Sequence, residues 1–142
     1  MYNFVINKEL YPEKVLNEIK RLENKYNIEF PDVLKTLYTQ SEGGKIKLCV
    51  FTINNYTYEV STIIPILHVG LYFEKIVEFD RMDGFIPSTF YPIAMDRGGN
   101  TFYWDCITKN VYLSLTDDIE NPVYIIADVH SFLELLNCSI RQ

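Results

Sequence analysis

The chain has 142 residues and a mass of 16.7 kDa, the size of one domain, and we expect residues 1–142 to form a single domain. Its hydrophobic content of 48% and aromatic content of 15% exclude a disordered chain and favour β structure. The net charge of −6 is uneven, because residues 1–70 carry eight acidic and eight basic side chains whereas residues 71–136 carry eleven and four. This excess argues against a nucleic-acid ligand and favours a basic partner, although acidic surfaces also serve solubility alone.

Other bulk features limit the cellular setting. No apolar run approaches the roughly 20 residues that a membrane span needs, and the first ten residues lack the pattern of a secretory signal. Cys49, Cys106 and Cys138 are odd in number and form no CxxC pair, so neither a disulfide framework nor a zinc site is indicated. We therefore expect a cytoplasmic protein without a membrane contact.

Two helices are predicted before any strand. In PEKVLNEIKRLENKY the apolar residues Val15, Ile19, Leu22 and Tyr26 recur at helical spacing after an initial proline. A second helix follows Phe30, Pro31 and Asp32. Its apolar stripe is Val33, Leu34, Leu37 and Tyr38, and Gly43 and Gly44 are predicted to end it.

From residue 46 the apolar period changes to two. Residues 46–53 and 56–64 predict a β-hairpin across Asn54 and Asn55. The next segment, LYFEKIVEFDR, predicts a helix. We expect its apolar face to carry Tyr72, Ile76 and Phe79, flanked by Phe73 and Val77, and its solvent face to carry Glu74, Glu78 and Asp80.

Three short runs, FYPIAM, TFYWD and VYLSL, predict an antiparallel meander. The following PVYIIADV either adds an edge strand or leads directly into a closing helix that is capped by Asp128 or Ser131. The predicted fold class is therefore α+β: a single domain whose antiparallel sheet of about five or six strands carries two N-terminal helices, one middle helix and a C-terminal helix.

The glycine-rich stretch DRGGNTFYWD predicts a turn between strands. A phosphate loop would need a helix after the glycines, and a calcium loop would need oxygen ligands where Arg97 and Gly98 stand. By contrast, Gly98, Gly99 and Asn100 all tolerate the positive φ that a tight connection requires.

No constellation of residues predicts an enzyme. His68 and His130 have no metal-ligand spacing, and no GxSxG or HExxH motif occurs. The adjacent acids Asp117 and Asp118 favour a solvated loop over a pair of catalytic carboxyls. A hydrolase that uses His68 or His130 in a cleft stays open as a third hypothesis, since catalytic residues meet only in space.

Three segments resemble the SUKH superfamily of Smi/Knr-like proteins. IEFPDVLKTLYTQSEGG resembles its helix ending in paired glycines, FYPIAMDRGGNTFYWDCITKNVYLS its strand, turn and aromatic strand, and DVHSFLELL its last helix. The resemblance implies an α+β binding domain without catalytic residues, and we expect neither a cofactor nor a metal. In bacteria such proteins serve chiefly as immunity proteins that bind and neutralise a toxin, often a nuclease, and eukaryotic relatives regulate cell-wall synthesis.

The first functional hypothesis is therefore a non-catalytic immunity protein whose partner is a basic toxin domain. The alternative is a regulatory scaffold that binds a host protein and has no toxin partner. We expect a monomer or a weak dimer, and we expect acids at strand ends to supply the charged contacts. These predicted partner-binding residues are Asp96, Asp105, Asp117, Asp118 and Glu120.

Overall fold

Four helices and six strands make up the fold in the computed structural model, which describes residues 2–6, 11–40 and 45–139. In chain order the elements are α1 Pro12–Tyr26, α2 Asp32–Gln40, β1 Lys45–Ile53, β2 Tyr56–Ile63, α3 Phe73–Asp83, β3 Phe90–Met95, β4 Thr101–Asp105, β5 Val111–Leu115, β6 Asp118–Ile126 and α4 Val129–Asn137. The strands form one antiparallel sheet in which their spatial order is their sequence order. The predicted α+β class and the order of the helices are confirmed.

The two N-terminal helices bury most of the predicted stripes, while Tyr26 and Val33 are half-buried. Val15, Ile19 and Leu22 of α1 are buried, and the helix ends at Asn27, whose φ of 53° lies in the left-handed region. The glycine pair predicted to end α2 lies outside the described residues. No helix in the described part of the chain is long and apolar enough to cross a membrane.

The predicted faces of α3 need correction. Phe73, Ile76 and Val77 are its buried residues, whereas Phe79 is 54% exposed. Asp80, predicted to face water, is half-buried. The reason is the helical period: Asp80 follows Phe73 by seven residues, or about two turns, so it shares the buried face from which Phe79 is rotated away.

The first hairpin is confirmed, with Asn54 and Asn55 both at positive φ. Its outer strand β1 does not present a free edge along its length. The amide of Lys47 donates to the carbonyl of Phe4, and the amide of Val50 donates to the carbonyl of Ser139. Segments from both ends of the chain therefore cover β1.

The second half of the sheet has two different faces. Phe102 and Trp104 of β4 are fully buried against the helices, where Phe102 meets Phe132 and Trp104 meets Phe30 at ring-centroid distances of 5.2 and 6.1 Å. Because side chains alternate along a strand, Tyr103 lies on the opposite face. There it joins an aromatic row with Phe90, Tyr112 and Tyr124.

The segment PVYIIADV contributes to β6, which pairs with β5 and is the outer strand of the sheet at this side. Pro122 lies within β6 and has no amide hydrogen to offer to a further strand. Asp128 caps α4, since its carboxylate accepts from the amide of Ser131 at 2.7 Å. The edge-strand interpretation and the Asp128 cap are thus confirmed.

Candidate partner-binding surface

The turn between β3 and β4 is built by side-chain hydrogen bonds. Asp96 accepts from the amide of Asn100 at 2.9 Å and from the Nδ2 of Asn100 at 2.8 Å. Gly99 has a φ of +84°, whereas Gly98 and Asn100 do not have positive φ. The stretch DRGGN therefore forms the predicted strand connection, and one glycine supplies the left-handed backbone conformation.

The same asparagine joins two neighbouring turns. The Oδ1 of Asn100 accepts from the amide of Thr116, which begins the β5–β6 turn, at 2.9 Å. Residues far apart in sequence are thereby held at one end of the sheet. We call this region, formed by residues 96–100 and 116–120, the hairpin end.

Four of the five predicted partner-binding acids lie at the hairpin end. Asp117, Asp118 and Glu120 are exposed, and Asp96 is half-buried in its turn. Asp118 accepts from the Nδ2 of Asn121 at 2.9 Å. Arg97 also lies here, but its guanidinium pairs with Glu59 at 2.6 Å, so this cation is already compensated.

Asp105 lies at the opposite end of the sheet. It is 9% exposed, and its Oδ1 accepts from the amides of Ile107 at 2.8 Å and Thr108 at 3.4 Å. The four residue steps of β4 separate it from Thr101 by about 13 Å. Its carboxylate therefore stabilises the β4–β5 turn, and the structure does not bring it together with the other four acids.

A recess borders the hairpin end, and the sequence did not predict it. A cavity of about 130 Å³ opens between the C-terminal end of α3, the loop after it and the face of β4 and β5 that carries Tyr103 and Ser114. Its lining residues are Asp80, Asp83, Phe85, Ile86, Gly99, Thr101, Tyr103, Ser114, Thr116 and Ile119. We call this cavity the α3 recess.

Asp80 is a half-buried acid that lines the α3 recess. The hydroxyl of Tyr103 donates to its Oδ2 at 2.8 Å. Burial raises the pKa of Asp80 from its ordinary value of 3.8 to about 6, and the nearby charge of Asp83 acts in the same direction while the Tyr103 bond opposes it. Desolvation is therefore stronger than the hydrogen bond, and a carboxylate at this position is short of stabilising contacts.

No lysine, arginine or histidine of the described residues forms a salt bridge with Asp80 or Asp83. The neighbouring Arg81 points elsewhere: it donates to the hydroxyl of Tyr91 at 3.0 Å and lies 5.0 Å from the ring centre of Tyr26. The two acids of the α3 recess therefore have no cationic partner within the described chain.

Comparison with models of known protein families identifies the family of this chain. Residues 16–137 match the model of the SMI1 / KNR4 family (SUKH-1). The chain belongs to this family. Membership supports an immunity or regulatory protein that acts through protein–protein interaction, and members of the superfamily are generally not enzymes. No curated protein matches the chain significantly.

Two other sites on this SUKH-1 domain could suggest a ligand. His68 Nε2 lies 3.0 Å from Glu18 and 3.5 Å from Glu74, a set of three groups that could hold a metal ion. Arg21 already binds both carboxylates, and its hydrogen bond with Glu74, together with that of Lys25, lowers the pKa of Glu74 to about 2. The negative charge that would attract a metal is therefore compensated by two cations.

The second site is a cavity of about 390 Å³ on the helical side of the sheet, lined by Phe30, Trp104, Lys109, Asp128 and His130 among others. No serine, threonine or cysteine is among the described residues that line it. Its described walls therefore offer no hydroxyl or thiol nucleophile for a histidine base.

Proposed function

We propose that this SUKH-1 protein is an immunity protein that binds and neutralises a basic toxin domain without catalysing a reaction. Family membership supports the class of function, and the acidic second half of the chain supports a basic partner. The observation that carries the proposal is the joining of the two turns by Asn100, because it places the half-buried Asp96 of one hairpin at the same end of the sheet as the exposed acids of the next. Nuclease toxins are natural candidates for such a partner, since they bind a polyanion with basic residues.

The surface also offers apolar contact area. Phe85 and Ile119 are exposed at 56% and 37%, and both line the α3 recess. Interfaces combine such apolar anchors, which supply most of the binding energy, with charges that mainly accelerate the encounter. We therefore assign the long-range attraction to the acids of the hairpin end and the short-range contact to these apolar side chains.

Asp105 takes a different role in this proposal. A carboxylate that is 9% exposed and accepts two amides offers little charge to a partner. Asp118 and Glu120 can serve two purposes, because charges on an outer strand also prevent unwanted strand pairing. Asp117, in the turn itself, is the acid whose exposure has no such structural use among the described contacts.

The proposed function is tested by co-expression with the toxin encoded by the neighbouring gene. Restored growth and a complex on gel filtration are expected. Continued killing without a complex would refute the proposal. A chain whose gene has no toxin neighbour and which instead forms a complex with a purified housekeeping enzyme would establish the regulatory alternative.

The charge argument has its own test. Reversing Asp117, Asp118 and Glu120 to lysine should slow association with the toxin domain, by up to one or two orders of magnitude at low salt, and should weaken the dependence of the rate on salt. The matched control reverses three exposed acids elsewhere, namely Glu13, Glu29 and Asp32. Equal slowing in both triple variants would show that net charge, and not the hairpin end, governs the encounter.

A further inference from the structure

The α3 recess is small, partly apolar and acidic at once. Its volume of about 130 Å³ holds roughly four water molecules and is well below the 300–1,000 Å³ typical of sites for drug-sized ligands. The ring of Phe85 and the side chain of Ile119 contribute apolar wall, while Asp80 and Asp83 contribute carboxylates. These dimensions suit a single side chain of another protein.

The negative charge of the recess specifies which type of side chain it can bind. An anionic side chain would meet two carboxylates, and an uncharged apolar one would leave them desolvated without a partner. A cation on a long apolar stem satisfies both walls, because lysine and arginine place methylene groups against apolar surface while the charged head contacts a carboxylate.

The hydrogen bond from Tyr103 prepares the site. Tyr103 is 3% exposed, and its hydroxyl donates to the Oδ2 of Asp80 at 2.8 Å, which orients this carboxylate in the lining of the recess before any partner arrives. A preorganised acceptor lowers the entropic cost of binding. We propose that the α3 recess is the anchor pocket for a lysine or arginine side chain of the protein partner.

This inference rests on the proposed function for its biological partner, but the pocket can be tested without any toxin. The probes are blocked arginine and blocked lysine, each acetylated at the amino end and amidated at the carboxyl end. Their uncharged counterparts, blocked citrulline and blocked norleucine, have nearly the same shape. Each is titrated to millimolar concentration while NMR follows Tyr103, Phe85 and Ile119.

Saturable shifts at these three residues are expected with at least one basic probe and not with its uncharged counterpart. In Asp80→Asn the shifts should be lost, because the amide keeps an acceptor for Tyr103 but removes the charge. Asp32→Asn is the matched control: Asp32 lines the cavity with Trp104 on the other face of the sheet, so the response should be unchanged. No saturable shift with either basic probe, or equal shifts with the uncharged counterparts, would overturn the pocket.

The toxin complex then separates the two proposals. If Asp80→Asn raises the dissociation constant of the toxin complex about tenfold and Asp32→Asn leaves it unchanged, the recess is an anchor in the complex. If co-expression rescues growth, but no basic probe binds and Asp80→Asn does not change the affinity for the toxin, the anchor-pocket proposal is wrong and the immunity function stands. If the probes bind but rescue fails, the pocket stands and the partner is another basic protein.

Discussion

Removing the charge of Asp80 should make the isolated protein more stable at neutral pH. The pKa of this group rises from 3.8 to about 6 on folding, chiefly through burial. The folded protein therefore holds the proton more tightly than the unfolded chain between these values, and the free energy of unfolding falls as the pH rises through this window. Two pKa units correspond to about 3 kcal/mol as an upper limit. Because the side chain is half-exposed, solvent screening reduces the expected gain for Asp80→Asn to roughly 1 kcal/mol at pH 7.

The assay is urea denaturation from pH 3 to pH 8, followed by the fluorescence of Trp104, the chain's one tryptophan and a fully buried residue. The free energy of unfolding of Asp80→Asn should rise relative to that of the parent between about pH 4 and pH 6. This difference should persist above pH 6. Asp83→Asn is the matched control, since it removes the smaller like-charge effect and leaves the desolvated carboxylate in place. A difference between Asp80→Asn and the parent that does not change with pH would refute the claim that Asp80 is held in a desolvating site without a cation.

Three further variants test the turns, the core and the helical ion pairs. Asn100→Ala removes the bond to Thr116 that joins the two turns and the side-chain bond to Asp96 within its own turn, and should cost about 1–3 kcal/mol in urea denaturation; unchanged stability would contradict a stabilising role for these bonds. Phe102→Ala should cost about 3–5 kcal/mol, because its ring is fully buried between sheet and α4; a cost under 1 kcal/mol would contradict that packing. Glu74→Gln should lower thermal stability above pH 4.5, where the depressed pKa keeps the native carboxylate charged beside Arg21, and the difference should vanish as the pH falls through about 2. A difference that persists at pH 2 would exclude the charge as its cause.

Much of the fold follows from local signals in the sequence. The asparagine pair at 54–55, the glycine-rich turn and the change of apolar period from helical to alternating each act within a few residues, so they identify elements without knowledge of the whole. Short connections then place consecutive strands side by side, which is the order that the sheet shows.

The candidate site was harder to predict because its parts meet only in space. Asp80 and Tyr103 are 23 residues apart, and nothing in either segment announces the other. The seven-residue spacing from Phe73 is a signal in the sequence that places Asp80 on the buried face of α3. The prediction instead followed the apolar character of Phe79 and put Phe79 on the buried face and Asp80 toward solvent. Asp105 and Asp117 both stand at strand ends, but only the structure shows that the first is enclosed by its own turn and the second is exposed.

The covering of β1 by residues near 4 and 139 ties the completion of the sheet to the synthesis of residue 139. The hydrogen bond from the amide of Asn3 to the side chain of Asn137 joins residues 134 positions apart. The amide of Val50 has its acceptor, the carbonyl of Ser139, only after residue 139 has been added. Until residue 139 has left the ribosome, part of β1 displays unsatisfied amides and carbonyls along a mostly β-prone strand. A nascent or C-terminally truncated chain therefore exposes a template for pairing with its neighbours, and deletion of the last few described residues should promote aggregation before it affects the acidic hairpins at the far side of the sheet.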